Sequence, residues 1–338
     1  MSFLTVVERL PCNLGRAPAS RQGARLRRIV RTTRTVGFGL ALGACGDAAV
    51  THAPSPPPDP EFDIEIRYWP GTEPGDLERL RIEAAALRWE RLIQSGLPDA
   101  LVRGDAGCGA GSPDVRETVD DVVVFVRIVD IDALAESGPC LVRQDGGLPI
   151  TGTIWLDGPG RVGQLRSSVL EALVMHELAH VLGFGSLWKE KGLLRDPSTS
   201  GGDDPHFVGA EARPEFDESG GSEWSGAKIP VDDSGVIGTA DTHWRVVPFG
   251  EELMTPIIFY PDNPLSRVTA AAMADLGYEV DIGEAEPWFV PYSLNAVARG
   301  AVMPDGRTVA LELDEAAPRW NVSVVDPAGR IVGRLPRP

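Results

Sequence analysis

One short stretch of this chain restricts its possible structures more than any other. The letters HELAH begin at His176, within an apolar segment that ends at Gly183. Because residues four apart share one face of an α-helix, the imidazoles of His176 and His180 can reach a single metal ion. The pattern H-E-x-x-H is typical of a catalytic zinc site, in which the glutamate, here Glu177, is the general base that takes a proton from a zinc-bound water. It predicts a buried zinc-binding helix with a left-handed glycine at its end.

The charge of the chain argues against a nucleic-acid partner. Its 32 basic and 49 acidic residues give a formal net charge of −17, whereas nucleic-acid-binding proteins present a basic surface. The charge is unevenly distributed, because residues 1–44 carry eight arginines and one glutamate. That segment has a net charge of +7, which leaves −24 for the rest of the chain.

The first 61 residues are typical of an export and anchoring segment. The apolar run at 36–44 follows a basic stretch and is too short to span a bilayer, but it suits a secretory signal. The letters LGAC ending at Cys45 resemble the lipobox of bacterial lipoproteins, whose cysteine is acylated. We therefore expect a signal peptide at 1–44, a lipid anchor on Cys45 and a Pro-rich linker at 45–61. The protein would be an exported lipoprotein of the bacterial cell envelope, attached to the membrane only through this anchor; an ordinary signal with an incidental cysteine is the alternative.

Two cysteines remain beyond the leader and the lipobox, Cys108 and Cys140. In an oxidising compartment such a pair is expected to form a disulfide, which would close a loop across the first half of the folded domain. Neither cysteine has a close Cys or His companion, so we do not expect them to bind zinc. Two free buried thiols are the alternative.

Hydrophobic periodicity predicts a chain of mixed helices and strands. Alternating or continuous apolar runs predict strands, and apolar residues at helical spacing, with Ser266 as a cap of the last segment, predict helices. The predicted strands are 62–68, 119–131 and 150–157, and the predicted helices are 75–95, 168–182 and 266–276.

The segments between these elements carry further expectations. A loop rich in Gly and Pro and containing Cys140 is expected between 131 and 150, and the strand at 150–157 is expected to run along the edge of the cleft, where it would align substrate by β-pairing. Residues 189–240 show no regular pattern, and so long a loop is usually functional or disordered.

The helix itself does not reveal the third zinc ligand. In the short metzincin pattern a histidine would follow three residues after Gly183, but that residue is Ser186. Two histidines remain downstream, His206 and His243. A carboxylate could also serve, because zinc accepts oxygen ligands.

The chain resembles the leishmanolysin-like zinc endopeptidases, a branch of the metzincins. The matching segments are HELAHVLGF from His176, HW at His243, ELMT at 252–255, and the final-helix motifs NPLSRVT and DLGY. In that family a long insertion displaces the third histidine, and here 62 residues separate His180 from His243. The resemblance covers about residues 62–280.

The resemblance implies a role for each matching residue. His176, His180 and His243 would bind Zn²⁺, and Glu177 would be the catalytic acid and base. Met254 would form the Met-turn near the metal without binding it. The implied activity is zinc-dependent endopeptidase action on protein or peptide substrates.

The resemblance also implies a metzincin-like α+β fold. A mixed twisted sheet with two helices, one of them carrying the zinc motif, would precede a loop-rich part with the Met-turn and a final helix. We expect this catalytic domain at 62–284, divided near residue 183. Two alternating runs, 307–313 and 320–325, predict a small β-rich appendage within residues 285–338.

Two other functions remain open. A gluzincin-type peptidase would take its third ligand from a carboxylate such as Glu211 or Glu215, whereas His206 is expected to be a structural or surface residue. A non-catalytic acidic surface lipoprotein would bind a partner and would have no need of Glu177 as a base. A serine hydrolase is disfavoured, since the chain contains no G-x-S-x-G motif.

Overall fold

The computed structural model describes residues 61–158, 161–225, 228–260, 262–291, 309–313 and 315–336. They belong to one compact unit. The predicted signal peptide, the lipobox cysteine and all but the last residue of the predicted linker lie outside the described residues. Among the described helices, none is both long enough and apolar enough to cross a membrane.

The described part of the chain contains the following elements. The helices are α1 (Asp76–Leu92), α2 (Ser167–Val181), α3 (Ala212–Phe216), α4 (Ser222–Ser225), α5 (Val246–Phe249) and α6 (Arg267–Leu276). The strands are β1 (Ile64–Tyr68), β2 (Ala100–Leu101), β3 (Thr118–Val119), β4 (Val122–Val129), β5 (Ala135–Arg143), β6 (Pro149–Asp157), β7 (Leu194–Arg195), β8 (His206–Phe207), β9 (Ile229–Pro230), β10 (Ile257–Tyr260), β11 (Val309–Glu312), β12 (Ser323–Val325) and β13 (Ile331–Arg334).

A six-stranded mixed sheet is the frame of the molecule, in the order β1-β4-β6-β5-β12-β13. β1, β4 and β6 are parallel, and β5 is antiparallel to β6. The interior strand β4 has the apolar sequence VVVFVRIV because both of its faces are covered. Alternate residues of β4 enter a core shared with the helices and a second core on the opposite face. The predicted α+β fold is confirmed.

The zinc-motif helix α2 lies against α1 and against the sheet. The indole N–H of Trp89 in α1 donates to the carbonyl of Met175 in α2 at 2.9 Å. Glycine at position 152 of β6 allows the close approach of α2, because a Cβ there would overlap the side chain of Val181. Tertiary packing therefore fixes the end of α2 relative to the strands that border the site.

The loop expected around Cys140 is in fact a strand, β5. Its nine residues are buried throughout, but Gly138 and Pro139 interrupt the periodicity from which strands are recognised. The register with β6 shifts on both sides of Leu141, as expected at irregular points of a strand. Cys140 forms a disulfide with Cys108, with the sulfur atoms 2.08 Å apart, and this bond joins β5 to the loop between β2 and β3.

The predicted cleft-edge position of residues 150–157 is wrong. This segment lies within β6, which pairs with β4 on one side and with β5 on the other. Its backbone groups are therefore used inside the sheet and cannot pair with a substrate. Instead β5 borders the cleft, since Ser137 of β5 lies beside Glu177.

The C-terminal residues that the structure describes join the main fold and do not form a separate appendage. The two runs predicted as strands contain β11 and β12, but β11 pairs with β10. β12 pairs in parallel with β5 and extends the main sheet, with Val322 and Val325 buried in its cores. Local alternation predicts that a segment is a strand and does not reveal its partner, which is why the sequence suggested an appendage.

Candidate metal centre

Three histidine side chains from two distant parts of the chain meet at one point. His176 and His180 lie one turn apart on α2, and His243 lies in the loop that follows the long insertion. The Nε2 atoms of His176 and His180 are 3.0 Å apart, and that of His243 lies 3.0 Å from the first and 3.1 Å from the second. All three rings are buried. The structure therefore brings together the three residues predicted to bind zinc.

Each of these rings is oriented by a hydrogen bond from its other nitrogen. The three Nδ1 atoms lie 2.7–2.9 Å from backbone carbonyl oxygens, in the pairs His176–Leu253, His180–Phe184 and His243–Thr239. Because a carbonyl only accepts, each Nδ1 carries a proton, and in the neutral ring each Nε2 can then present a lone pair to the shared point.

A carboxylate that the sequence analysis did not single out completes the cluster. Oε1 of Glu315 lies 3.0 Å from Nε2 of His176. Oε2 lies 3.1 Å from Nε2 of His243 and 3.7 Å from that of His180. Glu315 is buried and comes from the segment between β11 and β12. No local motif marks it, and only the tertiary fold brings it to the helix.

The arrangement of these four side chains fits a zinc ion. Three imidazole nitrogens and a carboxylate face one another at a single point, an arrangement that a cation between them would stabilise. In a tetrahedral zinc site with bonds of about 2.0–2.1 Å, neighbouring donor atoms are about 3.3 Å apart. The separations of 3.0–3.7 Å between the donor atoms here span that value.

The electrostatics of the cluster also suit a metal, since metal ligands must be deprotonated. Burial lowers the pKa of His180 to about 3, so this imidazole is neutral at physiological pH. Burial alone would raise the pKa of Glu315, but the positive charge of the protonated imidazoles of His243 and His176 outweighs burial and holds that pKa well below its usual range. Glu315 is therefore ionised.

Glu177 lies beside the cluster with an unused carboxylate oxygen. Its backbone carbonyl accepts a hydrogen bond from the hydroxyl of Ser137 at 3.1 Å, whereas its Oε1 atom is buried with no hydrogen-bond partner among the described residues. Burial, followed by the charge of Glu315, raises the pKa of Glu177 well above its usual range. A cavity of about 30 Å³ is lined by Glu177, His180 and Glu315, which is enough space for a water molecule to reach that oxygen.

Comparison with protein families matches residues 112–296 to the leishmanolysin peptidases. This match spans more than half of the chain and includes α2, His243 and Met254. The chain belongs to the leishmanolysin family of metallopeptidases. The resemblance seen in the sequence is thereby confirmed, and zinc is the metal on which this family depends. A comparison with curated proteins gives no match.

Tertiary packing places the distant histidine of this leishmanolysin-family chain. At Gly185, where φ is +70°, a Cβ would overlap the carbonyl of Thr242, so glycine is needed where the end of α2 passes the loop. Beside His243, Trp244 is fully buried, and its indole N–H donates to the hydroxyl of Thr269 in α6 at 2.8 Å. The residue next to His243 is therefore anchored to the final helix.

An aromatic cluster and one aspartate connect the long insertion to the loop that carries His243. The rings in contact, at centroid distances of 4.5–5.4 Å, are Phe184, Trp188, Phe207, Trp244 and Phe249. Asp241 has a positive φ of 68°, and its carboxylate accepts four hydrogen bonds from the backbone N–H and hydroxyl groups of Ser198 and Thr199. The region at 189–240, in which the sequence showed no pattern, is thus fixed to the metal centre.

Met254, which the family resemblance predicts to form the Met-turn, lies in a turn of the described chain. It is buried, and the preceding residue, Leu253, supplies the carbonyl that orients His176. The backbone N–H of Met254 donates to the carboxylate of Glu252 at 2.6 Å, and the hydroxyl of Ser266 donates to the same carboxylate at 2.8 Å. Burial raises the pKa of Glu252 to about 7.

The other candidate ligands lie elsewhere. Glu215 forms an ion pair with Arg267 at 2.6 Å, and Glu211 is exposed at the start of α3. The Nδ1 atom of His206 lies 2.6 Å from the carbonyl oxygen of Asp204. None of these three belongs to the cluster of histidines and Glu315.

Proposed function

We propose that this chain is a zinc-dependent endopeptidase in which His176, His180 and His243 bind the metal and Glu177 is the catalytic acid and base. The observation that carries the proposal is the meeting of three buried Nε2 atoms within 3.1 Å of one another. Next to them lies a buried carboxylate, one oxygen of which has no hydrogen-bond partner within the described part of the chain. A zinc site that only stabilised the fold would have no use for that oxygen.

Zinc, Glu177 and Ser137 would each have a different role in hydrolysis. Bound zinc would supply a Lewis acid that polarises the scissile carbonyl and makes water more acidic. Glu177 would take the proton of the attacking water and return it to the nitrogen of the leaving amine. Ser137 binds the backbone of Glu177 and so fixes α2 against β5, the strand that borders the cleft.

A cavity beside the metal centre fits a side chain of a peptide substrate. Its volume is about 560 Å³, and its lining includes the apolar residues Val236, Val246, Pro256 and Ile257. Pockets of this size hold small ligands in many proteins. Protein or peptide substrates are therefore the class that we propose, whereas the net charge of −17 argues against nucleic acid.

Two measurements test the proposal together. The purified protein should bind about one zinc per chain, measured by atomic emission. It should cleave casein in a reaction that a zinc chelator stops and added zinc restores. A chain that binds no zinc contradicts the proposal. If the wild type and Glu315→Ala both bind zinc but neither cleaves casein, the result favours the alternative of a non-catalytic surface protein that binds a partner.

The gluzincin alternative makes a different prediction. If a carboxylate of α3 or its N-terminus supplied the third ligand, Glu211→Ala or Glu215→Ala would lower the zinc content and His243→Ala would not. We expect the reverse, because His243 has its Nε2 atom 3.0 Å from that of His176, whereas Glu215 is paired with Arg267.

We also propose that the protein is exported and lipid-anchored through Cys45. The proposal is supported by the basic and apolar N-terminal segment and by the sequence LGAC. Metabolic labelling with a radioactive fatty acid in a bacterial host tests it. The wild type should be labelled and Cys45→Ser should not, and equal labelling of the two would contradict the assignment.

A further inference from the structure

Residues 313 and 315–320, termed the strap, cross the metal centre between β11 and β12. At one end the backbone N–H of Leu313 donates to the carbonyl of Pro256 at 3.0 Å. Further along, the backbone N–H of Ala316 donates to the carbonyl of Ala135, at the start of β5, at 3.3 Å. The strap is therefore bonded to the segment after the Met-turn and to the strand on the other side of the cleft.

The far end of the strap is fixed more firmly to β5. The guanidinium of Arg319 lies 3.0 Å from the carboxylate of Glu136, which is fully buried, and its backbone N–H donates to the same carboxylate at 2.8 Å. The indole N–H of Trp320 donates to the carbonyl of Pro139 at 2.9 Å. An extended substrate would pair with this edge of β5, but the strap and β12 already occupy it.

The strap also delivers a ligand to the position that catalysis needs. A catalytic zinc site has three protein ligands and keeps its fourth position for water or substrate. Here the carboxylate of Glu315 faces all three histidines, at 3.0 Å from His176, 3.1 Å from His243 and 3.7 Å from His180. Four protein donors correspond to a closed zinc site.

The space that remains beside Glu177 is too small for a substrate. The cavity of about 30 Å³ is closed by Ala316 and Pro318 of the strap and by Gly238 on the facing loop. A Cβ at Gly238 would overlap the carbonyl of Glu315, so the backbone of the strap and the backbone of the loop are in direct contact. A cavity of this volume admits water, whereas a bound peptide needs several hundred Å³.

The strap lies outside the part of the chain that matches the family. The match ends at residue 296, and Glu315 follows it. The catalytic residues proposed above all lie inside the matched range. The group that closes the site therefore follows the matched range in the chain.

We propose that the strap is an internal peptide ligand of the catalytic cleft: Glu315 takes the fourth position on the zinc, and cleavage requires the strap to leave. The proposal rests on the proposed function, because Glu315 is a ligand only if the three histidines bind zinc. β12 and β13 keep the tail in the main sheet, so the strap opens as a loop with both ends attached.

A small zinc-binding compound tests whether the fourth position is closed. Acetohydroxamate is titrated into the full-length chain loaded with Co²⁺ in place of zinc, and the visible absorption of the cobalt reports its binding. Removing Glu315 should tighten binding about tenfold or more, because the wild type would bind only in its rare open state. Glu315→Ala and the near-isosteric Glu315→Gln are compared with Glu83→Gln, a control on the exposed surface of α1.

The outcomes separate this inference from the proposed function. Both Glu315 variants should keep about one metal per chain and bind acetohydroxamate more tightly, and casein cleavage should rise with that affinity. Affinities within about twofold of wild type and of Glu83→Gln overturn the inference, since by the same relation the site would then already be open. Loss of metal from the variants alone overturns it too, because Glu315 would then be a permanent ligand. Absence of metal from the wild type contradicts the proposed function instead.

Discussion

The two regions that supply the imidazoles are held in place by different means. On α2 the helical repeat sets the spacing of His176 and His180, and the helix packs on a conventional hydrophobic core. Residues 237–242 form turns, and the Nδ1 atom of His243 lies within hydrogen-bond distance of the Thr239 carbonyl and the Thr242 hydroxyl. The helix has its geometry before the metal binds, whereas the loop depends on several separate contacts at once.

This difference shows where metal-site precision comes from. Two ligands on a helix need few additional contacts, because the geometry of the helix already fixes their spacing. A ligand on a loop needs a supporting shell, here an aromatic cluster, a buried turn and the hydrogen bonds of Asp241. We therefore expect the helix to be robust to changes around it and the loop to be sensitive to them.

The largest predicted effect is a loss of catalysis without a loss of zinc, caused by a single change in α2. Glu177→Gln preserves the size of the side chain and removes its basicity. The rate of casein cleavage should fall about 10²–10⁴-fold, which is the usual contribution of a general acid or base, with zinc content unchanged. Glu171→Gln, on the same helix but half-exposed and paired with Arg81, is the matched control and should retain activity. If Glu177→Gln cleaved casein as fast as the wild type, Glu177 would not be the catalytic acid and base.

Removing one ligand from each region tests the comparison directly. His180→Ala and His243→Ala should each weaken zinc binding by more than about 100-fold, which exceeds the usual effect of changing an outer partner of a ligand. Competition with a chromogenic chelator measures both affinities. In the zinc-free wild type, amide hydrogen exchange should become faster at 236–244 and stay slow in α2. Equal acceleration in the two regions would show that the helix also depends on the metal.

The sequence predicts the helical half of the site and much of the sheet for the same physical reason. The spacing of HELAH, the apolar run of β4 and the serine-capped α6 are local patterns, and local patterns predict local structure. The family resemblance supplied His243, because no periodicity connects it to the helix. The Ser266 side chain does accept from the backbone N–H of Thr269, as a capped helix requires.

Features that depend on distant contacts could not be predicted in this way. β5 was missed because Gly138 and Pro139 disrupt its pattern, although the pairing with β6 compensates for their poor strand propensity. The edge position assigned to 150–157 was wrong because a strand's sequence does not state its neighbours. Glu315 is one acidic residue among many, and its importance appears only when β11 and β12 bring it to the histidines.

The turn that contains Glu252 should also make the stability of the protein depend on pH. Burial raises the pKa of Glu252 from 4.5 to about 7, so the folded state binds more protons than the unfolded state between these values. Stability should therefore decrease as pH rises through this range, by up to about 3 kcal/mol. The free energy of unfolding of the zinc-loaded protein, measured by urea denaturation from pH 5 to pH 8, provides the test.

Replacing the carboxyl identifies the group responsible for this slope. Glu252→Gln cannot ionise, and its curve should be flatter than that of the wild type over the same range. Glu83→Gln, on the exposed surface of α1, should leave the slope unchanged. Parallel curves for the wild type and Glu252→Gln would show that Glu252 does not titrate between the two pH values.

The smallest effect should come from a change in the contacts that hold the loop carrying His243. Asp241→Ala removes the acceptor of four hydrogen bonds from Ser198 and Thr199, and it places alanine at a positive φ. Zinc affinity should decrease about tenfold, at the lower end of the effect of an outer partner, and the free energy of unfolding should decrease by about 1–3 kcal/mol. Asp241→Gly relieves the backbone strain but not the lost hydrogen bonds, so its zinc affinity should stay low.

A second aspartate in the insertion provides the control for this last comparison. Asp196 also has a positive φ, 51°, and accepts hydrogen bonds from the backbone N–H groups of Asp203 and Asp204. Its bonds stay within the insertion and do not reach the segment that carries His243. Asp196→Ala should therefore cost stability and leave zinc affinity unchanged. If both variants weakened zinc equally, the insertion as a whole, and not its bond to the loop, would position the third imidazole.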